Sequence, residues 1–133
     1  MPVIAAAVGT IIPKRDGIHD LRMRLLGKKS ALHRGVGNFV IIDHGSGWWT
    51  QCTHMRKGSI AVKPVMRITS DKQLGLVGQS GLTEFRHLQF EINHSSQTVN
   101  PFVSKGNGKG CKDAKNTLQT GAALPVLKFQ KYF

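Results

Sequence analysis

The apolar residues of this chain come in short runs, and glycine or a small polar cluster closes most of them. "VIAAAVG" is the longest, "FVIID" stops at "HGSG", and "LGLVG" is bounded by glycine at its end. Runs of this length are too brief for long amphipathic helices and suit strands joined by turns. None approaches the roughly 20 residues of a membrane-spanning helix. No internal repeat interrupts the pattern.

Read along the chain, Val3–Ile12 is a strand pair bending at Gly9, where glycine permits the turn. Phe39–Asp43 is a strand, His44–Gly47 a hairpin turn by composition, and Trp48–His54 the returning strand. Ser59–Lys63 reads as a short strand that Pro64 ends, Met66–Thr69 as a strand or turn, and Leu74–Gly78 as a short buried strand. His87–Ile92 alternates with period two: His87, Gln89 and Glu91 share one side, Leu88, Phe90 and Ile92 the other. Asn100–Pro101 closes the sheet region. Beyond it, Ala114–Thr120 is a short helix and the segment ending at Phe133 an edge strand in an irregular appendage. The fold class is mainly β: a single antiparallel β-sheet or sandwich domain with long loops. Its 133 residues fit one domain with a modest core. Residues 1–102 form the domain, with a basic insertion at about 12–36, and 103–133 a basic C-terminal extension.

Charge narrows the partners. The formal net charge is +12, from 19 basic and 7 acidic residues. Residues 12–34 alone carry seven cations (Lys14, Arg15, Arg22, Arg24, Lys28, Lys29, Arg34) against Asp16 and Asp20, so 7 − 2 = +5 in a segment read as an exposed excursion. Such a balance favours polyanions: nucleic acid, anionic lipid or an acidic cell-wall polymer. No arginine-rich helix or aromatic-basic sheet pattern singles out nucleic acid, whose binding would show steep salt dependence. Cys52 and Cys111 allow one disulfide and do not require it. The N-terminus lacks a basic region followed by a long apolar stretch and cleavage site. The expected location is the cell envelope or periplasm for a piece of a longer exported protein, and the cytoplasm if residue 1 is the native start.

The chemistry-bearing residues are the six histidines. By strand alternation His54 shares a face with Cys52, and His87 shares one with Gln89, so two adjacent strands can present both histidines to one groove. A hydrolytic zinc site needs three protein ligands and an open position for water. A carboxamide oxygen is neutral and weakly basic, so Gln89 is a poor ligand beside imidazole. Cys52, His54 and His87 are the alternative metal set, since thiolate and imidazole suit zinc or copper. Of Trp48 and Trp49, one should face the core and one the groove, where Glu91 also points.

Four stretches together resemble the lysostaphin- and LytM-type zinc endopeptidases that cut peptidoglycan cross-links. They are "PVIAAAVGTI" (Pro2–Ile11), "GNFVIIDHGSGWWTQCTHM" (Gly37–Met55), "GSIAVKPVMRITSDKQLGLVGQSG" (Gly58–Gly81) and "HLQFEI" (His87–Ile92). "VNPF" (Val99–Phe102) resembles the end of that domain. The resemblance implies that His54 is the histidine of the strand after the hairpin and His87 the first histidine of an H-x-H motif. Both support the reacting water and oxyanion in that family. It places Gln89 where the second, zinc-binding histidine stands. The family's H-x-x-x-D ligand pair has no match in this chain, where no histidine has an aspartate four residues later. Family glycines in two turns are replaced by Val65 and Asp71, and those turns are expected to relax or shift.

The expectation is therefore a degenerate, non-hydrolytic peptidase-like domain without a cofactor, which binds cell-wall peptide or glycan or regulates a partner. An active zinc-dependent peptidoglycan endopeptidase with ligands supplied elsewhere is the alternative, and a basic polyanion-binding β domain the third. A partner or second copy covering an exposed sheet edge is also expected.

Overall fold

The computed structural model describes residues 1–20 and 35–99. Its strands are β1 (Pro2–Ile4), β2 (Gly9–Arg15), β3 (Asn38–Gly45), β4 (Trp48–Met55), β5 (Arg67–Ile68), β6 (Gln73–Leu76), β7 (Gln89–His94) and β8 (Gln97–Val99). β1 pairs with β6 in a two-stranded sheet, and the others form a six-stranded sheet ordered β5-β2-β3-β4-β7-β8. Every strand pairing is antiparallel, as the short runs and hairpin signals imply.

The longest pairings join the central strands. β3 and β4 are linked by Ser46–Gly47, both at positive φ (51° and 79°), the geometry a two-residue hairpin needs. β7 and β8 are joined in the same way by Ser95 and Ser96, at φ 48° and 67°. Alternation then sorts the side chains. Ile11, Val40, Ile42 and Cys52 point inward and pack with Val3, Met55, Val62 and Leu74. Leu88 and Phe90 lie against that core. Ile92 and Ala7 form a smaller cluster with Trp48. Burying an Ile or Leu completely stabilises by about 1.5–3 kcal/mol, so these faces fix the register.

Three expectations need correction. β1 and β2 are not a bent pair: Ala5–Val8 separates them, and β1 pairs with β6 instead. β2 runs on to Arg15, so Lys14 and Arg15 belong to the sheet, opposite Val40 and Phe39, and not to a basic excursion. Ser59–Lys63 is not a strand, although Ile60 and Val62 are buried there and Ala61 N–H donates to Leu74 C=O at 3.0 Å. The readings at 21–34, at Asn100–Pro101, at Ala114–Thr120 and over the C-terminal extension lie outside the described residues.

The expected relaxation of two turns does not occur. Val65 keeps φ 66° and Asp71 φ 65°. Val65 is held by its own N–H to Ile11 C=O (2.8 Å), by Met66 N–H to Lys63 C=O (3.2 Å) and by Ile11 N–H to Met66 C=O (2.9 Å). Pro64 before it presets a type II turn, which demands positive φ at the next residue. The sheet dictates the turn, and valine takes a conformation made for glycine.

One buried side chain ties the frame together. Asn38 is wholly inaccessible. Its carboxamide oxygen accepts from Gly17 N–H (3.0 Å) and Ile18 N–H (2.8 Å). Its amide nitrogen donates to Ile18 C=O (2.8 Å) and Met55 C=O (3.0 Å). Its backbone N–H donates to Ser80 Oγ, and that hydroxyl donates to Met55 C=O. Three distant segments thus meet at one asparagine.

Candidate functional site

β4 places Thr53, and beyond it His54, beside β7. Thr53 pairs with Gln89, Gln51 with Glu91 and Trp49 with Asn93, so these residues share one sheet face. Cys52 pairs with Phe90 on the opposite face, in the core. Strict alternation would put His54 with Cys52. Instead the register shifts between Asn38↔Met55 and Val40↔Cys52, and His54 adopts φ 58°. This bulge inserts an extra residue and re-aims the imidazole toward Gln89. His54 and Cys52 therefore do not share a face.

His54 is buried, at 4% exposure. Its Nδ1–H donates to Ser80 C=O at 2.7 Å, which fixes the ring. Its Nε2 lies 3.3 Å from the Gln89 carboxamide oxygen. The Gln89 amide nitrogen donates to Glu91 Oε1 at 2.5 Å. Gln89 is thus held by Glu91 through its amide nitrogen, while its carboxamide oxygen faces the His54 imidazole.

His87 precedes β7 and bridges Gly78. Its Nδ1–H donates to Phe85 C=O (3.0 Å), with Thr83 Oγ1 at 3.1 Å. Thr83 in turn donates to the same carbonyl. The two imidazole rings are 4.9 Å apart, centroid to centroid, and tilted by 46°. Phe85, 67% exposed, lies 5.0 Å from the His87 ring and forms a lip beside it.

The structure thus brings His54, His87, Gln89 and Glu91 together. Trp49 stands on the same sheet face, whereas Trp48 packs with the second core cluster and stacks on His94 at 4.2 Å. Cys52 takes no part. It is a free thiol, and burial pushes it up to about 12, which disfavours the thiolate that a metal requires. Cys111 lies outside the described residues. The metal set of Cys52, His54 and His87 is therefore not assembled: Cys52 faces the core, and the imidazoles face the groove. Two other described histidines make contacts outside this cluster. His44 bridges Val8 C=O and Thr50 Oγ1, and His19 Nε2 accepts from Lys57 Nζ.

Among the described residues, no group of three His, Cys, Asp or Glu side chains can hold a metal ion. The local donors are two carbonyl-anchored imidazoles and a neutral carboxamide whose amide nitrogen is bound to Glu91. This set does not fit a catalytic zinc, which takes three basic ligands with an open fourth position. It can orient a bound peptide group by hydrogen bonds. Ser80, Thr83 and Phe85 were not singled out from sequence. Two act through backbone carbonyls, which residue identity does not encode.

Comparison with known proteins places the chain. Residues 1–101 match peptidase family M23. The peptidoglycan DD-endopeptidase ShyA of Vibrio cholerae is 32% identical over 68 residues, 51% of this chain and 15% of that protein. A zinc-containing peptidase from Vibrio cholerae superposes with a TM-score of 0.57 at 24% identity, over 74% of this chain and 25% of that one. The catalytic domain of the prophage-encoded M23 protein EnpA from Enterococcus faecalis gives 0.59 at 21% identity, over 80% of this chain and 71% of that one. These likenesses share the fold. The chain spans 15% of the endopeptidase and a quarter of the zinc-containing peptidase.

Proposed function

The chain belongs to peptidase family M23, and on that premise we propose that its groove binds peptidoglycan stem peptides without hydrolysing them. One observation carries this reading: the position that the family resemblance gives to a zinc-binding histidine holds Gln89, whose amide nitrogen donates to Glu91 and whose oxygen lies 3.3 Å from His54 Nε2. A neutral carboxamide is a weak ligand. The imidazoles orient a peptide carbonyl or amide, but without a Lewis acid they do not lower the pKa of water toward 7. Trp49 and Phe85 supply apolar surface for the peptide or its sugar. The cell envelope, where that polymer lies, is the proposed location. Among the described residues no helix is long and apolar enough to cross a membrane.

The test combines elemental analysis of the purified chain with calorimetric titration of a soluble stem peptide and a cleavage assay on purified peptidoglycan. Peptide binding without stoichiometric zinc or cleavage supports the proposal. Stoichiometric zinc with cleavage refutes it and establishes the second reading, an active endopeptidase whose remaining ligands come from elsewhere. That reading draws on the fixed orientation of both imidazoles, each anchored through Nδ1 by a backbone carbonyl.

A further inference from the structure

We propose that the turn carrying Val65 is a docking surface for an anionic lipid membrane. Val65 is 83% exposed and holds a left-handed backbone that costs a β-branched residue dearly. Its side chain contributes little to the core, so the fold gains almost nothing from keeping valine there. Strain of this kind at a protruding residue points to a role outside the fold.

The neighbours give that role its chemistry. Val65 N–H donates to Ile11 C=O and Met66 C=O accepts from Ile11 N–H, so the turn lies directly along β2. Ile11 faces the core, and alternation turns Ile12 outward, 48% exposed. Met66 is 36% exposed. Ile12 and Val65 thus place two exposed apolar side chains beside each other at the β5 edge of the sheet, with the partly exposed Met66 opposite Ile11. Cations flank them: Lys63 opens the turn, and Arg67 follows it and pairs with Thr10.

Apolar tips within a basic rim, on a chain of net charge +12, match the boundary between acyl chains and anionic headgroups. A soluble polyanion would use the cations but has no use for the aliphatic tips. The surface is independent of the histidine groove, so its test stands apart from peptide binding.

Cosedimentation with vesicles of phosphatidylcholine alone, or containing about one quarter phosphatidylglycerol, tests it. The chain is expected to bind the anionic vesicles only, less at high salt. Val65→Asn keeps the charge, and asparagine tolerates positive φ, so the variant folds while losing the apolar tip. It is expected to bind roughly tenfold more weakly. Unchanged vesicle binding by Val65→Asn overturns the proposal, because charge alone would then explain it. Binding to soluble polyglutamate without binding to anionic vesicles overturns it too.

Discussion

Replacing Val65 by glycine should stabilise the protein. The left-handed conformation costs an ordinary L-residue about 1–2 kcal/mol, and a β-branched residue lies toward the upper end. The turn cannot escape this cost by shifting, because three backbone hydrogen bonds pin it. At 83% exposure the valine side chain offsets little of it by burial. Glycine removes the strain but adds about 0.5–1 kcal/mol of unfolded-state entropy. The net gain is about 1 kcal/mol, or roughly 5 °C in Tm for a domain of this size. Urea and thermal denaturation of wild type, Val65→Gly, Val65→Asn and Val65→Ala measure it. Glycine and asparagine should both exceed wild type, and alanine should stay near it. Asp71→Gly is the internal control: aspartate tolerates φ 65°, so its change should stay within about 0.5 kcal/mol. A Val65→Gly protein no more stable than Val65→Ala would refute the strain argument.

Other expectations follow from buried groups. Asn38→Ala removes four side-chain hydrogen bonds and strands their partners, which should cost about 3–5 kcal/mol by urea titration. Among the described residues Thr53 Oγ1 has no partner and is buried, so Thr53→Val, similar in shape, should stabilise by about 1 kcal/mol in the same assay; destabilisation would show that the hydroxyl is satisfied. In a Cys111→Ser background, Cys52 should resist maleimide at pH 8 while the protein is folded and react once it unfolds. The Cys52 pKa is raised on folding from 9.0 to about 12, so its contribution to stability is complete below pH 9. Between those values the unfolded state releases a proton that the folded state keeps, and stability falls by about 1.4 kcal/mol per pH unit. Equal stability of Cys52→Ala and its parent across that range, relative to their difference at neutral pH, would count against this.

Much of the sheet was legible because period two is a direct image of burial. Leu88, Phe90 and Ile92 pack inward and Gln89 and Glu91 outward, as their spacing implies. The β3–β4 hairpin was legible because glycine marks its turn. β8 was not, because two serines make the equivalent turn, and nothing in "HSSQ" announces positive φ. His54 was placed on the wrong face because a bulge depends on how neighbouring strands register, which local alternation cannot report. The turns at Val65 and Asp71 show the converse limit. Local preference argued for relaxation, and tertiary hydrogen bonding overrode it.

The contacts that shape the groove span long stretches of chain: His54 meets Ser80 across 26 residues and Gln89 across 35. The β3–β4 hairpin closes through two residues. Loop-closure entropy grows with separation, so the hairpin can form early and the histidine pair only after distant segments have docked. The groove then comes into being as one of the last acts of folding. Hydrogen exchange would show this order as later protection at His54 and Gly78 than at the middle of β3. A nascent chain would carry most of its framework before it presented any recognisable groove to a ligand.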